Sequence, residues 1–168
     1  MVTPGWDIVA STLRKDGLEE MGEMRAMNTS SSPPAEISPA RLVIVDDHAL
    51  VREGLRSMLE AEPDLHIAGE AANGREAIEL CRRLRPDVVL MDLRMPVMDG
   101  IAATRRIKAE YPSTHVIILT IRDSPDYLTE AREAGADAYL LKEVSHQEIA
   151  ATIRHVLQRQ PVRQQWRL

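Results

Sequence analysis

The sequence predicts an α/β protein: a doubly wound, five-stranded parallel sheet of order 2-1-3-4-5, with helices on both faces. Three observations carry that prediction. From Arg41 onward short apolar runs alternate with stretches of helical periodicity. Most of the runs are apolar almost throughout, as strands covered on both faces must be. Right-handed crossovers then make this strand order a common way to close five such units.

The first run, RLVIV (41–45), is followed by Val51, Leu55, Met58 and Leu59, which fall on one helical stripe. The second, LHIAGE (65–70), alternates apolar and polar residues and suits an edge strand; Ala77, Leu80, Cys81 and Leu84 form the stripe behind it. The third, DVVLM (87–91), leads through a turn rich in Met, Pro and Gly to Asp99, placed to cap a helix that begins near Ile101. After the fourth, HVIIL (115–119), the segment DSPDYLTEAREAG has Pro near its start and Gly135 just past its end, the asymmetry of a helix. The fifth, DAYLL (137–141), precedes Ile149, Ile153, Val156 and Leu157 on a last stripe.

Outside these elements the character changes. Residues 1–40 pass from WDIVASTLRK, compatible with a short amphipathic helix, to NTSSSPPAEISP, and read as a disordered extension and linker. Met21, Met24 and Met27 are candidate true starts of translation. The tail at 159–168 carries Arg159, Arg163 and Arg167 without an acid and reads as a frayed helix end or severed linker. One domain, 41–158, is therefore expected within the 168 residues.

Composition narrows the function. Aromatic residues make up 3% with no Phe, and the formal charge is -5, so both a stacking platform and a basic face for nucleic acid are missing. Cys81 is the only cysteine, which excludes an intrachain disulfide and a thiolate metal cluster; it is expected to be a small buried apolar residue. No apolar run approaches a membrane span and no signal peptide is read, so the expected location is cytoplasmic.

The chemistry gathers where a parallel sheet places its ligand crevice, beyond the carboxyl ends of the strands. The first strand delivers Asp46 and Asp47 there, the third Asp92, the fourth Thr120 and the fifth Lys142. Glu70 ends the edge strand, too remote to count on. At an effective dielectric near 20, two unit charges ~4 Å apart cost about 4 kcal/mol, so three carboxylates need countercharge. Lys142 offers one charge, and a hard divalent cation, best Mg²⁺, offers two. A carboxylate beside a metal, an ammonium and a hydroxyl has the equipment for phosphoryl transfer, with Asp92 the candidate nucleophile.

With these residues in order, the stretch 41–158 resembles the receiver domain of two-component response regulators. VDDHALVREGL and AGADAYLLKE resemble its NarL/FixJ subfamily in particular. The resemblance implies that Asp92 accepts a phosphoryl group from a sensor histidine kinase. It implies that Asp47 ligates Mg²⁺ together with Asp92 and the backbone carbonyl of Arg94, with Asp46 sharing in ligation or acting through water. By the same likeness Lys142 grips a phosphoryl oxygen, Thr120 donates its hydroxyl to the phosphoryl group, and Tyr139 turns from an exposed to a buried rotamer. The switched surface would be residues 123–158, a site of homodimerisation in such proteins. The module would be a self-phosphorylating phosphoacceptor rather than an enzyme acting on a separate substrate.

Plainer readings stand beside these. Asp46 and Asp47 alone could be a polar strand end and a helix cap; Tyr139 alone could be half-buried packing. Asp-Asp-His at 46–48 invites a transition-metal reading, against which His48 opens a helix and is expected to point to solvent. Arg94 and Arg122 flank the pocket where receivers vary, and are expected to govern access of the hydrolytic water. Glu143 stands where receivers commonly carry Pro. NarL/FixJ regulators usually continue into a DNA-binding helix-turn-helix, which nothing after Gln158 could form, so the alternative is a fragment of a transcription regulator. Two remoter classes are a flavodoxin-like binding module, whose phosphate Asp46-Asp47 would repel, and an aspartyl phosphatase, which would want an acid where Arg94 stands.

Overall fold

Five strands pair in parallel in the order β2-β1-β3-β4-β5. They are β1 (Ala40–Val45), β2 (Leu65–Ala71), β3 (Val88–Met91), β4 (His115–Thr120) and β5 (Ala138–Leu141). Helices α1 (Ala49–Leu59), α2 (Gly74–Leu84), α3 (Gly100–Glu110), α4 (Pro125–Glu133) and α5 (His146–Gln158) follow the strands in turn. The computed structural model describes residues 38–158. The extension and linker predicted over 1–40 lie almost wholly outside that range, as does the tail at 159–168.

The central strands are apolar through their middles because each face meets a different helical layer. Leu42, Ile44, Val88, Leu90, Ile117 and Leu119 point to one side, where Leu55 and Leu59 of α1 and Ile153 of α5 close over them. Val43, Val45, Val89, Met91, Val116 and Ile118 point to the other, against Ala77 and Cys81 of α2, Ala103 and Ile107 of α3 and Ala131 of α4. Each such aliphatic side chain contributes about 1.5–3 kcal/mol on leaving water. Cys81 is fully buried in the second layer, and burial pushes its thiol up to about 12.

Strand β2 alternates in burial along Leu65, His66 and Ile67, as an edge strand does, and its register with β1 slips between Leu42 and Val43. The predicted cap holds: the Asp99 side chain accepts a hydrogen bond from Ala102 N at 2.8 Å. Pro125 opens α4, and Gly135, at φ +92°, lies just beyond the end of that helix. Among the described residues no helix is long and apolar enough to cross a membrane.

Candidate functional site

The carboxyl ends of β1, β3, β4 and β5 bring Asp46, Asp92, Thr120 and Lys142 together. Backbone bonds across the sheet fix the spacing: Asp46 N donates to Ala71 O, Asp92 N to Val45 O, and Lys142 N to Thr120 O. Lys142 then reaches back across the crevice. Its Nζ lies 2.5 Å from Asp46 Oδ2 and 2.9 Å from Asp92 Oδ1. The ammonium thus stands between the two buried acids, whose side chains are only 2% and 9% exposed.

The electrostatics follow from this packing. Burial raises the Asp92 pKa above the ordinary carboxylate range; the hydrogen bond and charge of Lys142 oppose the rise without cancelling it, and the nearby Asp46 charge adds to it. Burial alone would lower the Lys142 pKa, but its hydrogen bonds to Asp46 and Asp92 prevail and hold it above its usual value. The second Asp92 oxygen, Oδ2, accepts from Arg94 N at 3.2 Å. Asp92 is therefore oriented at both oxygens while its charge remains costly.

Asp47 is placed differently. Its Oδ1 atom is buried and has no aligned hydrogen-bond donor among the described residues, although His48 Nδ1 lies 2.9 Å away. The two facts are compatible because His48 Nδ1 approaches without the alignment a hydrogen bond needs. An acid oxygen withdrawn from water without a partner is costly unless a cation meets it. Asp46, Asp47 and His48 each offer a ligand atom, all within 4.8 Å of one another. The carboxylate oxygens of Asp46 and Asp47 are hard donors that suit Mg²⁺.

Thr120 is buried at the end of β4, and its Oγ1 accepts from Arg122 N at 3.2 Å. Tyr139 packs half-buried against the second core layer, and its hydroxyl donates to Arg122 O at 2.6 Å. The loop after β4 is thus held from both sides, by Thr120 and by Tyr139. Arg94 turns its guanidinium to Tyr127 of α4, with Nη1 donating to the phenol oxygen at 3.1 Å. A cavity of about 100 Å³ is lined by His48, Asp92, Arg94, Thr120, Arg122 and Lys142, among others. That is about three times the liquid volume of one water. A larger groove of about 540 Å³ lies alongside between α3 and α4, but its Arg94, Arg105, Asp99 and Glu130 mix both signs of charge without a buried nucleophile.

Sequence reasoning did not find Arg52. From the first turn of α1 its Nη1 donates to Asp46 O at 2.6 Å, while its Nε is held by Glu70 Oε2 at 3.2 Å. Glu70 also pairs with Arg56, so the acid set aside as remote holds the arginine that grips the Asp46 backbone. An arginine six residues after the first aspartate was the available signal, but helical periodicity assigns it only to a polar face.

Comparison with known proteins agrees with this geometry. The response regulator receiver domain family matches residues 42–154. The transcriptional regulatory protein LiaR of Bacillus subtilis is 45% identical over 121 residues, covering 72% of this chain and 57% of that protein. DegU of Brevibacillus brevis is 38% identical over 118 residues, covering 70% and 50%. The chain thus spans about half the length of the curated relatives it matches. Among solved structures, the receiver domain of the putative response regulator NarL from Mycobacterium tuberculosis superposes with a TM-score of 0.69 at 34% identity, over 73% of this chain and 99% of that one. A LuxR-family response regulator from Aurantimonas gives a TM-score of 0.68 at 38% identity, over 71% and 86%. Fold, strand-end residues and relatives agree: this chain belongs to the receiver-domain family of two-component response regulators.

Proposed function

We propose that Asp92 is the phosphoacceptor and that its phosphorylation by a sensor histidine kinase switches the surface formed by residues 123–158. The observation that carries this reading is the Lys142 ammonium, 2.9 Å from Asp92 Oδ1 and itself anchored on Asp46. In the transfer the Asp92 carboxylate attacks phosphorus, the phosphorus–nitrogen bond breaks, and the kinase imidazole leaves. Lys142 shifts a hydrogen bond toward the incoming phosphoryl oxygens. Thr120 exchanges its contact with Arg122 N for the phosphoryl group, drawing in the loop that Tyr139 holds.

The donor set fits Mg²⁺: the unpartnered Asp47 oxygen with Asp92 and Asp46, and the Arg94 backbone carbonyl as a further ligand. When bound, Mg²⁺ supplies the positive charge that lets an anionic phosphodonor approach an anionic pocket. The added phosphoryl group carries about -1.5 to -2 charges, and so favours the arrangement that sets Thr120 and Lys142 against it. The module promotes its own phosphorylation and has no separate substrate. The location consistent with a kinase partner is cytoplasmic, and the 123–158 surface is the proposed site of homodimerisation.

A second reading concerns the whole protein. The relatives named above are transcriptional regulators about twice the length of the matched segment, which favours this receiver acting as the input module of a DNA-binding regulator. Incubation with an acyl phosphate and Mg²⁺ tests the central reading by intact mass. Wild type gains one phosphoryl mass and Asp92→Asn gains none; an equal gain in both disproves it.

A further inference from the structure

Arg94 stands on the boundary between two openings at this end of the sheet. With Asp92, Thr120 and Lys142 it lines the cavity of about 100 Å³, and with Tyr127 it lines the groove of about 540 Å³ between α3 and α4. Its backbone is tied to the acid, since Arg94 N donates to Asp92 Oδ2 at 3.2 Å. Its guanidinium is turned to α4 instead: Nη1 donates to the neutral phenol oxygen of Tyr127 at 3.1 Å, and among the described residues Arg94 makes no ion pair. Tyr127 sits in the first turn of α4, partly buried against the second core layer. That helix is thinly anchored. Of its nine residues only Ala131 is buried, whereas α3 and α5 each bury four. A side-chain bond at its first turn therefore counts for more than it would on either of those helices.

Lys142 is already shared between Asp46 and Asp92. A phosphoryl group brings about -1.5 to -2 charges into the same crevice, so a further cation gains from approaching it. The planar fork of an arginine meets phosphoryl oxygens bidentately, which a phenol oxygen does not allow. Hydrogen bonds to such charged oxygens are roughly twice as strong as neutral ones, so they outcompete Tyr127 for the guanidinium. Arg122, the other arginine of the lining, is engaged through its backbone, with N donating to Thr120 and O accepting from Tyr139. We propose that Arg94 is a second phosphoryl-binding side chain, held in reserve on Tyr127, and that its move onto phosphorylated Asp92 frees the first turn of α4. The proposal rests on Asp92 as the phosphoacceptor. It adds a link from the site to the 123–158 surface that does not pass through Thr120 or Tyr139.

The test follows phosphorylation by an acyl phosphate and Mg²⁺ through intact mass in wild type, Tyr127→Phe, Arg94→Gln and the double variant. Tyr127→Phe keeps the ring in its packing and removes only the hydroxyl, so the guanidinium is released toward the site. It should be phosphorylated about threefold faster than wild type, and Arg94→Gln about tenfold more slowly. In the double variant the Phe change should be silent, since no guanidinium is left to release. A merely structural contact would lower the melting temperature of both single variants and leave the rates alone. Magnetic resonance of the arginine Nε–H groups gives a second readout: the Arg94 signal, assigned by its loss in Arg94→Gln, should shift when wild type is phosphorylated. If Tyr127→Phe acts equally with and without Arg94, or the Arg94 signal stays in place in the phosphorylated protein, the proposal is overturned and Asp92 stands as phosphoacceptor. If wild type gains no phosphoryl mass, the reading of Asp92 itself falls, and this inference with it.

Discussion

At the scale of single residues, the turn between β3 and α3 shows what the site requires of its surroundings. A Cβ on Gly100 would lie 2.0 Å from the carbonyl oxygen of Asp92, closer than any real contact. The helix start therefore presses on the backbone that carries the central acid. Gly100→Ala should cost about 2 kcal/mol or more in urea denaturation and slow phosphorylation, since the backbone must move at Asp92. Val97, three residues earlier, is 74% exposed and sits at φ +70°, where a β-branched side chain is strained. Val97→Gly should raise stability by about 1 kcal/mol in the same measurement, leaving phosphorylation intact. Arg94 and Arg122 line the crevice, but one is engaged with Tyr127 and the other gives its backbone to Thr120 and Tyr139. Changing both to Asn should alter the lifetime of the phosphorylated protein, followed by decay of the phosphoryl mass.

At the scale of elements, the end of the sheet opposite the site has its own polar fastening. Asp137, at the entry to β5, accepts from His115 at 3.0 Å, Val116 N at 2.8 Å and Lys108 of α3 at 2.9 Å. Burial would raise the Asp137 pKa, but these bonds outweigh it and hold it below the usual carboxylate value. Lys108 also caps the Thr114 carbonyl at 3.2 Å, so α3, β4 and β5 are joined at one point. Asp137→Asn should destabilise by about 2 kcal/mol at neutral pH. The joint also shows where pattern reading stops. Apolar runs located β4 and β5, and the Asp99 cap located α3. They could not pair Lys108 with a residue 29 positions away, because that contact depends on how the helix crosses the sheet.

Across the whole molecule, the two perturbed acids with substantial burial, Asp92 and Asp137, give opposite responses to pH. Asp137, depressed, contributes stability above the ordinary carboxylate pKa of about 3.9, and that contribution is lost as pH falls through its lower folded value. Asp92, raised, favours the fold while protonated, and its ionisation removes stability as pH climbs from the ordinary value through the folded one. Asp92→Asn should therefore equal or exceed wild type in stability at pH 7, with the difference vanishing in acid, as urea denaturation across pH will register. A carboxyl group buried where its charge is costly is a mark of function. That much was legible in the sequence: strand ends ordered by topology deliver Asp46, Asp92, Thr120 and Lys142 to one crevice. The Arg52 grip on Asp46 and the Tyr139 hydroxyl on Arg122 were not legible. Each is a rotamer or backbone contact settled only after packing, and neither leaves a periodic trace. The buried Cys81 has a practical consequence of another kind. Its thiol is inaccessible and, at about 12, almost wholly protonated at neutral pH. A cysteine placed at exposed Ile121 or Leu128 would be the sole labelling target among the described residues, so spin or fluorescent probes could track the proposed switch in the otherwise unaltered chain.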